Sequence, residues 1–163
     1  MTTAYDVTAG SVLAQYVWNE VKNELGWKTS DYSGMIPVFP VQQQPEVNSM
    51  TVPFIVFNSG TNTINRLWLV ETANVVFTIY SHKITDINQV TGLIVNRLKR
   101  MDESAATVNE FIASLDPVEY AAIKEFEFKT IMITGASGAQ PSLQEGGRHD
   151  GDVMIQAAYV KND

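Results

Sequence analysis

The sequence predicts an α+β fold: a mostly antiparallel β-sheet with helices packed on one face. Apolar residues recur at helical spacing near the N-terminus and in the middle of the chain, whereas they alternate with polar residues in two segments near the C-terminus. The chain has 163 residues, of which 45% are hydrophobic. These values fit one folded unit, so we expect residues 1–163 to form a single domain.

The first element is a helix over residues 8–25. Thr8 or Ser11 has the side chain of an N-cap, and Gly26 stands where a helix commonly ends. The side chains expected to face inward are Leu13, Tyr16, Val17, Val21 and Leu25.

A helical pattern occupies residues 85–101, and residues 102–116 follow it as a further short helix or turn-rich segment. Thr85 is the expected N-cap of the first, and Asp86 suits the positive end of that helix. The inward residues of the first are Ile87, Val90, Ile94, Leu98 and Met101. Those of the second are Ala105, Val108, Phe111 or Ile112, and Leu115.

Strands are predicted at residues 53–58, 66–81, 122–134 and 152–161. The second of them has apolar residues on both faces, with Val75, Phe77 and Ile79 on one side and Val76, Thr78 and Tyr80 on the other. We expect both of its faces to be covered, the second by a neighbouring subunit. The last strand should turn four residues inward, namely Val153, Ile155, Ala157 and Tyr159.

Two connections are long. Residues 27–51 contain Pro37, Pro40 and Pro45, which predict an extended arm because proline fixes the backbone and lacks an N–H donor. Residues 135–152 are rich in glycine and ionisable side chains, and they are expected to form a flexible loop between the last two strands.

The composition argues against several function classes. The chain has no cysteine, which excludes disulfides and thiol catalysis. Its net charge of −7 is unfavourable for binding the phosphate backbone of a nucleic acid. No apolar run approaches the roughly 20 residues of a membrane span, and no phosphate-binding loop or serine-hydrolase elbow is present.

Two alternatives stay open at this stage. His149, Asp150 and Asp152 could serve a small metal-dependent hydrolase, although their spacing is not that of a regular metal site. The other is a monomeric binding module whose aromatic groove takes a peptide. Trp18, Trp27, Trp68, Tyr80 and Tyr159 could also form a base-stacking platform, but in an acidic domain such residues more often fill the core or a subunit interface. We expect no catalytic, metal or cofactor site.

The element order resembles that of the tail terminator, or tail completion, proteins of long-tailed bacteriophages. The first helix, the lead-in "IPVFPV" to "VPFIVFN", the strand "LWLVETANVVFTIYS", the helix "DINQVTGLIVNRLKRM" and the ending "DVMIQAAYVKND" carry the resemblance. Other neck, head–tail connector or tail tube proteins use similar small folds and are the nearest alternatives.

The resemblance implies a virion protein that is assembled in the host cytoplasm and located in the tail or neck. Its subunits would form a ring, commonly a hexamer, that caps the tail tube and meets the neck or head-completion protein. DNA would pass through the centre without specific binding, and no membrane is involved. On this reading the residues expected at assembly contacts are Arg148, His149, Asp150, Trp68 and Phe39.

Overall fold

The computed structural model describes residues 7–41, 53–60, 70–141 and 148–162. The elements in these ranges are α1 (Ala9–Leu25), β1 (Val38–Pro40), β2 (Phe54–Gly60), β3 (Glu71–Ser81), α2 (Ile84–Leu98), α3 (Asp102–Ser114), β4 (Phe126–Ala136), β5 (Gln140–Pro141) and β6 (His149–Lys161). Short 3₁₀ turns lie at Thr29–Tyr32 and Ile123–Glu125. None of the helices described is long and apolar enough to cross a membrane.

The strands form one sheet in the order β1-β2-β3-β6-β4, with β5 also paired to β6. Among the described strands every pairing is antiparallel except that of β1 with β2. The predicted α+β class with a mostly antiparallel sheet is therefore confirmed. The parallel exception is β1, which lies at the edge of the sheet. It is formed by part of the predicted extended arm that follows α1.

One face of the sheet carries the three helices of the described residues, as predicted. Alternate residues of the strands point to this side, which we call the helix face. Its fully buried strand residues include Ile55, Val75, Phe77, Ile79, Ile131, Val153 and Ala157. They form one continuous core with the inward residues of the helices.

The limits of α1 match the prediction. Thr8 is the N-cap: its hydroxyl accepts the N–H of Ser11, and the Ser11 hydroxyl accepts the N–H of Thr8 in return. Gly26 ends the helix in the left-handed region, with φ of 71°. A Cβ built on Gly10 would lie 2.6 Å from Cβ of Ser59, so this glycine lets α1 approach β2 closely.

Two expectations about the middle helices are wrong. The N-cap of α2 is Lys83 and not Thr85, because Ser81 already organises the turn: its hydroxyl accepts the Lys83 N–H at 3.0 Å and donates to Asp86 at 2.8 Å. Met101 is 45% exposed and not inward. The chain leaves the helix after Leu98, and the backbone of Met101 pairs with Ile131 instead.

The strand limits also differ from the prediction. β3 begins at Glu71, and the earlier residues 66–69 lie outside the described residues. β4 begins at Phe126, since the preceding residues form a 3₁₀ turn. All four residues predicted to face inward on β6 are buried, so the period of that strand is confirmed.

The outer edge of β4 is occupied at two positions by groups from the same chain. The side-chain amide of Asn109 donates to the carbonyl of Phe128 and accepts its N–H, both at 2.9 Å. The N–H of Ile131 donates to the carbonyl of Met101. These backbone groups are consequently not available to a strand from another molecule.

Three buried tyrosines predict a loss of stability at alkaline pH. The pKa values of Tyr16, Tyr32 and Tyr159 are raised, mainly because burial disfavours the phenolate. For Tyr159, burial and the Glu71 carboxylate, which accepts its hydroxyl proton at 3.1 Å, raise the pKa from 10.0 to about 12. The contribution of Tyr159 to stability is complete below pH 10 and is lost as the pH rises through 12.

Urea unfolding between pH 9 and pH 12 measures this loss. The free energy of unfolding is expected to fall above pH 10, and Tyr159→Phe should make the fall shallower, because phenylalanine has no proton to release. Equal slopes for the native chain and the variant would contradict the contribution assigned to Tyr159.

Candidate assembly site

A second cluster of buried side chains lies on the sheet face opposite the helices. Its members are Tyr32, Phe39, Phe54, Val56 and Tyr80, and we call it the aromatic cluster. The strand residues among them alternate with residues of the helix face, which places them on the other side of the sheet. The predicted second apolar face of β3 is thus covered near Tyr80 by the chain's own residues 27–41.

The rings of the aromatic cluster contact one another directly. Phe54 and Tyr80 are stacked, with ring centroids 5.1 Å apart and planes at 21°. Phe39 meets Phe54 edge-on, with centroids 6.3 Å apart. The hydroxyl of Tyr32 donates to the carbonyl of Pro53, which fixes the 3₁₀ turn against the start of β2.

Arg148 is the charged member of this neighbourhood and is only 2% exposed. Its guanidinium carbon lies 4.8 Å from the ring centroid of Tyr80 and 5.6 Å from that of Phe54. Both distances are in the range of cation–π attraction. This position differs from the one expected in a flexible loop, because the side chain is enclosed within its own subunit.

The predicted loop over residues 135–152 is wrong in its limits. β4 extends to Ala136, β5 occupies Gln140–Pro141, and β6 already begins at His149. Pro141 pairs with His149, so the segment is largely a β-hairpin whose connection, residues 142–147, lies outside the described residues. On its other side β6 pairs with β3, with Ser81 opposite His149.

The residues expected at assembly contacts are partly brought together. Phe39 is buried in the aromatic cluster, Arg148 covers two of its rings, and Asp150 is half-buried opposite Tyr80 on β6. His149 is the neighbour of Asp150, so strand alternation turns it to the helix face. Trp68 lies outside the described residues. Whether these residues contact a partner stays a prediction.

The metal-site alternative receives no support from this arrangement. Alternation along β6 puts Asp150 and Asp152 on one face and His149 on the other, so the three cannot converge on one ion. One carboxylate oxygen of Asp152 already accepts the hydroxyl of Thr78 at 2.7 Å. In the described part of the chain no group of three histidine, cysteine or carboxylate side chains is placed to hold a metal.

Beyond the aromatic cluster the same side of the sheet is open. Three rows of paired residues cross β3, β6 and β4 here, and we call them the open face: Thr72–Ala158–Thr130, Asn74–Gln156–Met132 and Val76–Met154–Gly135. All nine are exposed or half-exposed. None carries a charge, and Met154 is 43% exposed.

Only part of the open face is visible in the amino-acid sequence. Val76 indicated a second apolar face on β3, but Met154 and Gln156 were not recognised as surface residues of a common patch. Their alternation with the inward residues of β6 is visible in the sequence. The residues of β3 and β4 that pair with them to complete each row are not. Neither a scan against protein-family models nor a search of curated proteins finds a match to this sequence.

Proposed function

We propose that this chain is a structural subunit that assembles with copies of itself into a closed ring. The open face carries this proposal. A subunit with a net charge of −7 presents nine neighbouring sheet positions without any charge, and two of them are methionines. Depletion of charge and enrichment in methionine are typical of the centres of protein interfaces.

Within this class we propose the role of a tail terminator of a long-tailed bacteriophage, located in the virion between tail and neck. The order of helix, extended segment, two strands, two helices and a closing hairpin supports it through the resemblance described above. The partners would be further copies of the chain, most simply six in a ring, with the tail tube protein on one side and the neck or head-completion protein on the other. The proposal includes no catalytic group, metal, cofactor or membrane.

The net negative charge of the subunit supports passage of DNA through the ring without specific binding. Carboxylates repel phosphates, whereas proteins that hold DNA gain affinity from lysine and arginine. We expect duplex DNA to show no retardation with the assembled protein at physiological salt in a gel-shift measurement. Retardation by the ring would contradict this part of the proposal.

The mass of the purified protein in solution tests the proposal. Light scattering over a concentration series should show a transition from subunit to one closed oligomer, since a closed ring has a fixed number of members. Negative-stain images of the oligomer should show rings with a central channel. A monomer at every concentration up to the solubility limit would contradict self-assembly, and open filaments would contradict closure.

A further inference from the structure

We infer that neighbouring subunits contact each other head to tail, with the open face of one subunit against the outer face of α2 in the next. This inference rests on the proposed self-assembly and goes further by naming both surfaces. The occupant of the open face is therefore a second copy of the chain. The result would be alternating layers of sheet and helix, the same packing that α2 makes inside its own domain.

The outer face of α2 shares the lack of charge. It is formed by Thr85, Asn88, Gln89, Gly92 and Asn96, all of them exposed. The exposed surface of α3 contrasts with it, because Asp102, Glu103 and Glu110 lie there. Two acidic subunits repel each other when carboxylates face carboxylates, so an uncharged surface on each side favours association at these two faces.

Gly92 gives a second reason to place a neighbour on α2. It stands inside the helix, where glycine costs about 0.5–1 kcal/mol relative to alanine. A Cβ at this position would meet no atom of the described residues within 4 Å, so packing against them does not require a glycine. A bare backbone at the centre of an exposed helix face permits close approach of another chain.

The two faces agree in length, and their end charges are complementary at one end. Lys83 and Lys99 are the cap residues at the two ends of α2. They lie about 24 Å apart along the helix axis, at a rise of 1.5 Å per residue. Asp152 precedes the open face on β6, and Glu127, bridged to Lys129, lies opposite Val160 beyond its other end. From Asp152 to Val160 the strand spans about 26 Å. An uncharged centre with lysines at both ends thus matches in length an uncharged centre that has a carboxylate at one end and the Glu127–Lys129 ion pair at the other.

Strand addition between subunits is the main competing arrangement, and the sheet edges oppose it. Asn109 and Met101 occupy backbone groups of β4, as described above. At the opposite edge, β1 ends with Pro40, which has no N–H to donate. Contact between the open face and the outer face of α2 leaves the edges at β4 and β1 unchanged.

The two surfaces lie on opposite sides of one domain, so a subunit that has paired through one surface still presents the other, and each pair retains one free surface of each kind. Such a heterologous contact generates a ring when its rotation closes. This geometry predicts a result that a symmetric dimer contact would not give: subunits defective in opposite surfaces should complement each other.

Single carboxylates test each surface. Met154→Glu and the nearly isosteric Asn74→Asp place a charge on the open face, and Gly92→Glu places one on α2 while improving helix propensity. Each should raise the concentration needed for half-assembly by at least about tenfold, because an unpaired charge is desolvated in the contact. Val118→Glu is the matched control, since Val118 is 88% exposed in the turn after α3 and on neither surface. It should assemble like the native chain.

Mixing the variants gives the decisive measurement. Met154→Glu retains its α2 surface and Gly92→Glu retains its open face, so an equimolar mixture should form a 1:1 dimer, detected by native mass spectrometry with one variant isotope-labelled. Thermal melts verify that each variant is folded.

If the native chain forms rings and all three variants do so equally well, the inference is overturned while the proposed function stands. If both variants fail to assemble and their mixture remains monomeric, the head-to-tail contact is wrong. A native chain that never associates overturns both.

Discussion

Replacing Arg148 with alanine is expected to lower the free energy of unfolding by about 2–4 kcal/mol, measured by urea denaturation with linear extrapolation. The side chain is 2% exposed and its guanidinium lies over the rings of Tyr80 and Phe54. Alanine would remove both the cation–π attraction and the apolar stem that fills the space beside these rings. The resulting cavity would lie where β6 begins, between β3 and β5.

Two further substitutions separate the charge from the volume. Arg148→Met retains most of the stem and should cost about 1–2 kcal/mol, the part that depends on the cation. Arg148→Lys retains the charge but not the planar group that stacks on aromatic rings, so it should not restore native stability. Lys99→Ala removes an exposed cation and should change stability by no more than about 0.5 kcal/mol. Native stability in Arg148→Met would show that the guanidinium is not needed.

The limits of α1 and the inward residues of β6 were predictable because local rules determine them. Thr8 and Gly26 mark the ends of α1 through capping chemistry that involves only neighbouring residues. The period of β6 follows from alternate burial, and its four inward residues were correct. Such features depend on the nearest few residues, which a single sequence contains.

The start of β6 was not predictable for the converse reason. Residues 148–152 contain glycine and four ionisable side chains, a composition typical of loops. Pairing with β3 on one side and β5 on the other overrides that local preference. The burial of Arg148 has the same origin, since its aromatic partners are distant in the sequence and fully buried arginine is rare.

The candidate contact surfaces were predictable only in part. Val76 indicated that β3 has a second face suited to a neighbour. The outer face of α2 has the amide side chains of an ordinary solvent-exposed helix, so only its place opposite the open face and the open space at Gly92 give it a role. These relations arise from the three-dimensional arrangement and not from any local pattern.

Replacing Gly151 with alanine is expected to destabilise the protein by about 1–3 kcal/mol, because it overpacks the contact between α2 and β6. A Cβ at this position would lie 2.7 Å from Cγ2 of Ile87 and 3.3 Å from the carbonyl oxygen of Ser137. Ile87 is fully buried and β-branched, so it has no free rotamer into which it can withdraw. The helix must therefore move away from the sheet or the strand must distort.

A double-mutant cycle identifies Ile87 as the group that resists the new methyl. Ile87→Ala alone should cost about 2–5 kcal/mol through its cavity. In the double variant the methyl of residue 151 occupies part of that cavity, so the combined loss should be smaller than the sum of the single losses by at least about 1 kcal/mol. Gly138→Ala is the matched control, because its Cβ would meet nothing within 4 Å and stability should stay within about 0.5 kcal/mol of native. If the losses of the two single variants add exactly in the double variant, the strain lies at the Ser137 carbonyl and not at α2. The close packing of α2 on β6 would then not depend on Gly151.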